Sequence, residues 1–338
     1  MQTYINKVIN GQNLTREEAA DAMDKMLGGG ATEAQSAALL TALRMKGETI
    51  DEIAGCAEKM KEKASHLHPK TRGFIDCVGT GGDCTSTFNI STTAAFVTAG
   101  AGVPIAKHGN RAISSKAGSA DLLEALGVNI MLEPSGVEKC LDEIGIGFMF
   151  ARTFNKSMKD ISKVRAEIKT RTIFNILGPI SNPSDAEYQM IGVFSPSLTN
   201  PLASAMSAMG IKHGMVISAV ENGMDEISVS GETAVSEICA DGIRDYKITP
   251  EQFGIERYPL SAISGGNAEE NVNYTLSVLR GEGGARRDIT ALNAGAAIYC
   301  ANRAASIADG LKMAYESIDS GAAMGKLEQL KKLSNEVE

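Results

Sequence analysis

Along the first 68 residues, apolar positions recur three and four apart, the period of helices that bury one face. Thr15, with Glu18 three residues on, forms a capping box ahead of Ala19 to Met23, and Gly28-Gly29-Gly30 ends that helix. Thr32 caps the next helix, whose apolar face is expected to hold Ala37, Ala38, Leu40 and Leu43. Asp51 opens a third, running through Ile53 to Met60, and His66-Leu67-His68-Pro69 reads as a linker. From residue 74 the pattern changes to short apolar runs alternating with helical ones. That alternation predicts a parallel or mixed sheet covered on both faces. Strands are expected at 74–78, 102–106, 146–150, 189–194 and 213–217, with a hairpin over 229–238. Helices are expected at 118–126, 135–144, 158–167, 198–209 and 288–305, and over the last twenty residues. The fold class is α/β: a small all-helical N-terminal domain plus a larger α/β domain with a central mixed sheet flanked by helices. The helical domain spans 1–70, joined by helices from about 165–187, and the α/β domain spans 71–338.

Two breaks in this pattern carry unusual chemistry. The run at 74–78 leads into Gly79-Thr80-Gly81-Gly82-Asp83, and the run at 102–106 leads into Lys107-His108-Gly109-Asn110-Arg111. Glycines let backbone N–H groups approach a ligand closely, which suits an anion. Between the two lies Asn89-Ile90-Ser91-Thr92, where Ser91 or Thr92 can cap a helix whose positive end also favours phosphate. On this reading Lys107 and Arg111 add mobile positive charge on the second turn. The segment Ser114-Ser115-Lys116-Ala117-Gly118-Ser119-Ala120-Asp121 offers hydroxyls and amides at a further helix start. The whole reads as a phosphate-binding mouth built from several loops.

Composition narrows the ligand. A net charge of −8 disfavours a general nucleic-acid or anionic-membrane role, so an anion must be drawn in by a local positive site. Cys56, Cys77, Cys84, Cys140, Cys239 and Cys300 are scattered without C-x-x-C spacing, which fits buried thiols in a reducing compartment. His66 and His68 have no further ligand-type neighbours to make a metal site. No signal peptide and no apolar run of membrane-spanning length is seen, so the cytoplasm is the expected location.

Asp225-Glu226, after Gly223-Met224, would sit on a loop where both carboxylates can reach a hard cation such as Mg²⁺ together with substrate phosphates. Arg165 lies on an expected helix with Arg171 just beyond, and an arginine projecting into a cleft suits bidentate carboxylate recognition. Neither a Ser–His–Asp or Cys–His nucleophile nor a dinucleotide or Walker A glycine pattern is present. The chemistry left is a displacement whose developing charge is stabilised electrostatically.

At these residues the chain resembles the anthranilate phosphoribosyltransferase family, which is built on a nucleoside-phosphorylase-like fold. The similarity spans nearly the whole length, through 38–49, 79–83, 89–92, 107–111, 114–121, 171–183, 223–228 and 265–271. The resemblance implies a homodimer through the helical domain, with a hinge between the domains. It implies transfer of a phosphoribosyl group from phosphoribosyl pyrophosphate to the amine of anthranilate, as in tryptophan biosynthesis. It assigns the phosphoribosyl pyrophosphate to Gly79, Gly82, Asp83, Thr87, Asn89, Ser91, Thr92, Lys107 and Ser119. Mg²⁺ would be held by Ser91, Asp225 and Glu226, with Lys107, Asp225 and Glu226 as the catalytic set. Anthranilate would meet Gly79, His108, Asn110, Asn155, Arg165 and Gly178, with Arg165 facing its carboxylate.

One stretch departs from the family pattern Phe-Ala-Pro-x-x-His-x-Ala-Met-Lys. Arg152 replaces the proline, and Asn155 stands where the histidine of the acceptor pocket is expected. The loop Ala219-Val220-Glu221-Asn222 also differs, where a histidine–glycine pair is usual. Besides a binding or regulatory protein that keeps the donor pocket without catalysis, against which Lys107 and Asp225-Glu226 argue, two enzyme alternatives stay open: a related phosphoribosyltransferase using another aromatic acceptor, and a pyrimidine nucleoside phosphorylase. The second carries Lys-x-Ser-Gly-Arg-Gly where this chain has Lys107-His108-Gly109-Asn110-Arg111.

Overall fold

Three threonines set the N-terminal helices. In the computed structural model, which describes residues 1–83, 85–112 and 116–337 (Asp160 by its backbone alone), α1 spans Gln2–Ile9 and α2 spans Arg16–Leu27. They are followed by α3 (Glu33–Lys46) and α4 (Ile50–Glu62). Thr15, Thr32 and Thr49 each accept the N–H of the third helical residue, whose own side chain reaches back to the threonine N–H. Each box satisfies two N–H groups that the helix itself leaves unpaired. The fourth helix therefore starts from Thr49 rather than Asp51. On α3 it is Leu39 that is buried, beside Leu40 and Leu43, whereas Ala38 is exposed and Ala37 half-buried.

Seven strands form one sheet: β1 (Ile75–Gly79), β2 (Ile105–Gly109), β3 (Ile146–Phe150), β4 (Tyr188–Gly192), β5 (His213–Ala219), β6 (Thr233–Cys239) and β7 (Gly242–Ile248). Interleaved with them are α5 (Ile90–Gly100), α6 (Ser119–Ala125), α7 (Pro134–Ile144), α8 (Ala151–Phe154), α9 (Lys159–Ile168), α10 (Phe174–Ile180) and α11 (Thr199–Ala208). After the sheet come α12 (Ala268–Leu279), α13 (Ala285–Cys300), α14 (Ile307–Asp319) and α15 (Ala322–Glu336).

The strand order is β3-β2-β1-β4-β5-β6-β7, with the first five parallel and the last two antiparallel. From β1 the chain winds outward through β2 to β3, then crosses back to β4 on the other side. Neighbouring strands that wind away from each other leave a crevice at their carboxyl ends, where ligands of open α/β sheets bind.

Two apolar clusters hold the layers. One packs α5, α13, α14 and α15 on one face of the sheet through residues such as Phe96, Ile105, Met215 and Leu292. The other joins the N-terminal helices to Ile161, Phe174 and Leu177 and to the opposite face of the sheet at Ile191, Val193 and Val216.

Three sequence expectations need correcting. The second strand begins later, at Ile105, so Lys107, His108 and Gly109 belong to β2 and not to a turn. The hairpin is formed by β6 and β7 over Thr233–Ile248, turning near Asp241 rather than within 229–238. The helix after the first glycine turn is led by Asn89, with Ser91 and Thr92 inside its first turn and not capping it. Cys84, Ser114 and Ser115 lie outside the described residues.

At the amino-terminal end of β5, Glu237 accepts hydrogen bonds from His213 Nε2 (2.8 Å), Tyr246 (2.8 Å) and Tyr299 (2.7 Å). Burial alone would raise this carboxyl, but the three donors outweigh it and hold it at about 2. Because its folded pKa lies below the unfolded value, this contribution is present above the ordinary glutamate range and is lost as pH falls towards 2. Glu237→Gln is expected to lower unfolding free energy by about 2 kcal/mol at pH 7. In urea titrations the gap to the unaltered protein should narrow below about pH 4.5.

Candidate active site

Asp225 sits between the ends of β1 and β4. A methyl group on Gly79 would overlap its carboxylate, and one on Gly192 would overlap its backbone carbonyl, so both strand ends must be glycine for this residue to enter. Gly79 and Gly192 are register partners across the two strands. Thr80 N–H donates to the Gly192 carbonyl at 2.9 Å, and Gly81 N–H donates to Asp225 Oδ2 at 2.7 Å. The next residue, Glu226, accepts the Ser91 N–H through Oε1 at 3.0 Å, at the positive end of α5. Asn293 of α13 fixes the backbone that follows, accepting from Ile227 N–H (2.9 Å) and donating to the Ile227 carbonyl (3.0 Å). Sequence reasoning passed over Gly192 and Asn293. Asn293, a lone amide in an otherwise small-residue helix, was the available signal.

Lys107 is 3% exposed and points from β2 beneath the first glycine turn, its Nζ donating to the Cys77 carbonyl (2.5 Å) and to Ser91 Oγ (3.4 Å). The expected mobile cation is thus a fixed one, because a strand between two parallel neighbours carries it. Arg111 is engaged as well, bound to Asp121 and Glu124.

Loss of water raises both Asp225 and Glu226 well above the ordinary carboxylate range. Asp83 acts further on the first and Asp225 on the second, while Lys107 opposes both shifts. A third buried carboxyl, Asp76 of β1, is pushed up to about 6 by burial against the pull of Lys107 and Asn182. Asn182 donates to Asp76 Oδ2 (2.7 Å) and to the Ala106 carbonyl (2.9 Å), and accepts from Ser184 N–H (2.8 Å). Every polar atom of that amide is used, and it ties the 181–184 turn to β1 and β2.

The other residues expected to meet the donor lie on the loops and helix starts that follow. Asp83 accepts from Thr85 in the loop after Gly82. Thr87 bridges to Ser264, and Gly265 lies so close that a methyl there would overlap the Thr87 carbonyl. Asn89 donates to the Ala117 carbonyl (3.1 Å), while its Oδ1 and Thr80 Oγ1 are buried with no partner among the described residues. Ser119 Oγ donates to the Asn110 carbonyl (3.2 Å), which brings the second loop against α6. Thr92 is buried in the first turn of α5. Arg171 lies over the Phe194 ring (3.9 Å) and donates to the Gly82 carbonyl, clamping the glycine turn from the segment between α9 and α10.

Of the residues expected to meet the acceptor, buried His108 meets Asn155 Nδ2 at 3.2 Å and the backbone of Gly178, and burial lowers its pKa to about 4. A methyl on Gly178 would meet nothing within 4 Å beyond its own helix backbone and chain neighbours among the described residues. Arg165 of α9 lies over the Phe174 ring (5.1 Å), and desolvation lowers its pKa. No carboxylate is paired with it among the described residues.

Among the described residues no three His, Cys, Asp or Glu side chains form a metal cage. The mutually repelling carboxylates of Asp225 and Glu226, with the Ser91 hydroxyl beside them, fit an oxygen-loving cation that takes its other ligands from substrate and water.

The a/b domain of the glycosyl transferase family matches residues 71–324, and the helical bundle domain of that family matches residues 2–64. The anthranilate phosphoribosyltransferase of Symbiobacterium thermophilum is 48% identical over 335 residues, covering 99% of this chain and 98% of its own. The chain belongs to the anthranilate phosphoribosyltransferase family. The crystal structure of the Thermus thermophilus family member superposes with a TM-score of 0.93 at 42% identity, covering 98% of this chain and 99% of the other. The Saccharomyces cerevisiae member in complex with PRPP and Mg gives 0.91 at 27% identity, covering 99% and 98%. The small helical domain and larger α/β domain read from the sequence are those of the family.

Gly79→Ala should displace the Asp225 carboxylate and lower kcat/KM for the phosphoribosyl donor by about 100-fold. Steady-state rates beside an unchanged far-ultraviolet circular dichroism spectrum check this.

Proposed function

We propose that this chain joins anthranilate to the phosphoribosyl group of phosphoribosyl pyrophosphate, releasing pyrophosphate in tryptophan biosynthesis. The observation that carries the reading is the convergence of Gly81, Ser91, Lys107, Asp225 and Glu226 at one crevice. Gly79, Gly82, Asp83, Thr87 and Asn89 cradle the donor from the first loop, with Ser91, Thr92 and Ser119 completing it. Asp225, Glu226 and Ser91 would hold Mg²⁺, which when bound neutralises diphosphate charge.

Lys107, fixed in its strand, stabilises negative charge as it grows on the departing diphosphate. The amine lone pair of anthranilate attacks C1 of the ribose, the C1–O bond to pyrophosphate breaks with inversion, and the amine then loses one proton to solvent. An aromatic amine is weakly basic, so that proton leaves late and no strong base is needed. Arg165, a partly desolvated cation without a carboxylate partner among the described residues, receives the acceptor's carboxylate. His108, Asn110, Asn155, Gly79 and Gly178 line the approach. Closing the helical lobe onto the α/β lobe brings the substrates together and excludes water.

The helical segment 1–70 is read as the dimerisation domain. Ile9, Met45 and Ile50 are large apolar side chains exposed there, Met45 at 84%. No helix of the described residues is long and apolar enough to cross a membrane. The cytoplasm is the proposed location.

Loss of anthranilate fluorescence on mixing with phosphoribosyl pyrophosphate and Mg²⁺ tests the activity. A panel of other aminobenzoates distinguishes the alternative acceptor. Asp225→Asn combined with Glu226→Gln should abolish turnover without altering the fold, and near-normal rates at limiting Mg²⁺ would remove the metal role. Arg165→Ala should raise KM for anthranilate by about 10- to 100-fold, the worth of a charged hydrogen bond, and KM for the donor far less. Met45→Glu should shift the sedimentation coefficient from dimer towards monomer.

A further inference from the structure

His108 and Asn155 form a pair whose orientation follows from one contact. His108 is buried and its pKa lies at about 4, so at neutral pH the ring is uncharged and carries a single N–H. The Gly178 backbone favours the protonated ring, the effect of a carbonyl accepting a ring N–H. The amide stands with Nδ2 towards His108 Nε2, an arrangement in which Nε2 accepts and the ring proton sits on Nδ1. Asn155 Nδ2, at 3.2 Å, is then the donor to it. Turning the amide over would set its carbonyl oxygen against the Nε2 lone pair, two acceptors face to face.

This fixes the other end of the amide. Asn155 is 4% exposed, and its Oδ1 has no hydrogen-bond donor among the described residues. A buried carbonyl oxygen without a donor is costly unless something supplies one. Beside the pair, α10 leaves open space at Gly178, and the same helix presents Phe174 beneath the Arg165 guanidinium. An aromatic acid seated with its carboxylate on Arg165 brings its ring substituent into this region.

We propose that Asn155 Oδ1 accepts a hydrogen bond from the ring amine of the acceptor, selecting acids with a donor next to the carboxylate and setting how the amine presents itself to the ribose. Resting on the function proposed above, it assigns Asn155 to the amine rather than to the carboxylate. One N–H of the amide is held by His108, and the atom left without a partner is the carbonyl oxygen, which repels a carboxylate and accepts from an amine.

The test compares ligands that differ only in the ring donor. Asn155→Ala and Asn155→Ser are assayed with anthranilate as substrate, and with benzoate and 2-hydroxybenzoate as inhibitors, in the presence of phosphoribosyl pyrophosphate and Mg²⁺. The expected result is that KM for anthranilate and Ki for 2-hydroxybenzoate rise about tenfold, the loss of one neutral hydrogen bond. Benzoate inhibition and KM for the donor should stay within about twofold, which a variant with a generally damaged pocket could not achieve. The serine variant, less disruptive beside His108, guards against a folding defect in the alanine variant. Equal weakening of benzoate and anthranilate would reduce Asn155 to a shaping residue and overturn the proposal, as would unchanged anthranilate kinetics. Absence of turnover by the unaltered protein is a separate outcome, which removes the underlying function and this proposal with it.

Discussion

The site depends on a carboxylate occupying a gap that two strand ends leave by having no side chains. Gly79 and Gly192 face each other across β1 and β4, and Asp225 fills the space between them. Once it is there, its oxygen organises the glycine turn through Gly81, and the next residue reaches the start of α5 through Ser91. Strand ends, turn and helix terminus are thereby referred to one pair of acidic residues. The sheet's change of winding direction supplies the crevice, and the glycines make it deep enough to use.

That arrangement concentrates like charge, and the molecule answers with a cation held in the framework. Asp76, Asp225 and Glu226 all feel Lys107, which is buried in β2. Asn182 completes the arrangement by joining Asp76 to the turn that leads into β4. The overall charge of −8 therefore says little about the site, where position decides the local field.

Much of this was legible in the chain. The helical start, the change to alternating strands and the caps at Thr15 and Thr32 are local signals, because capping geometry and helical periodicity are fixed within a few residues. The pairing of the acidic doublet with the glycine turn was legible only as a likeness to a family, since 144 residues separate Gly81 from Asp225. What sequence reasoning misplaced were boundaries that depend on tertiary pairing. Lys107 reads as turn because polar residues rarely end a buried strand, yet the register between β2 and β3 carries the strand through Gly109. The work of Gly192, Asn293 and Arg171 was hidden, because each acts on a partner distant in sequence.

The placement of Lys107 also fixes where its charge can act. A lysine on a loop can travel outward with a departing anion and prolong its stay. Here the stem is pinned between β1 and β3, so the positive field stays in the frame of the sheet, while the glycine turn is tied separately, through Gly81 to Asp225 and through the Gly82 carbonyl to Arg171. The cation and the turn are thereby carried by different pieces of backbone, and the cation needs no rearrangement to hold its position.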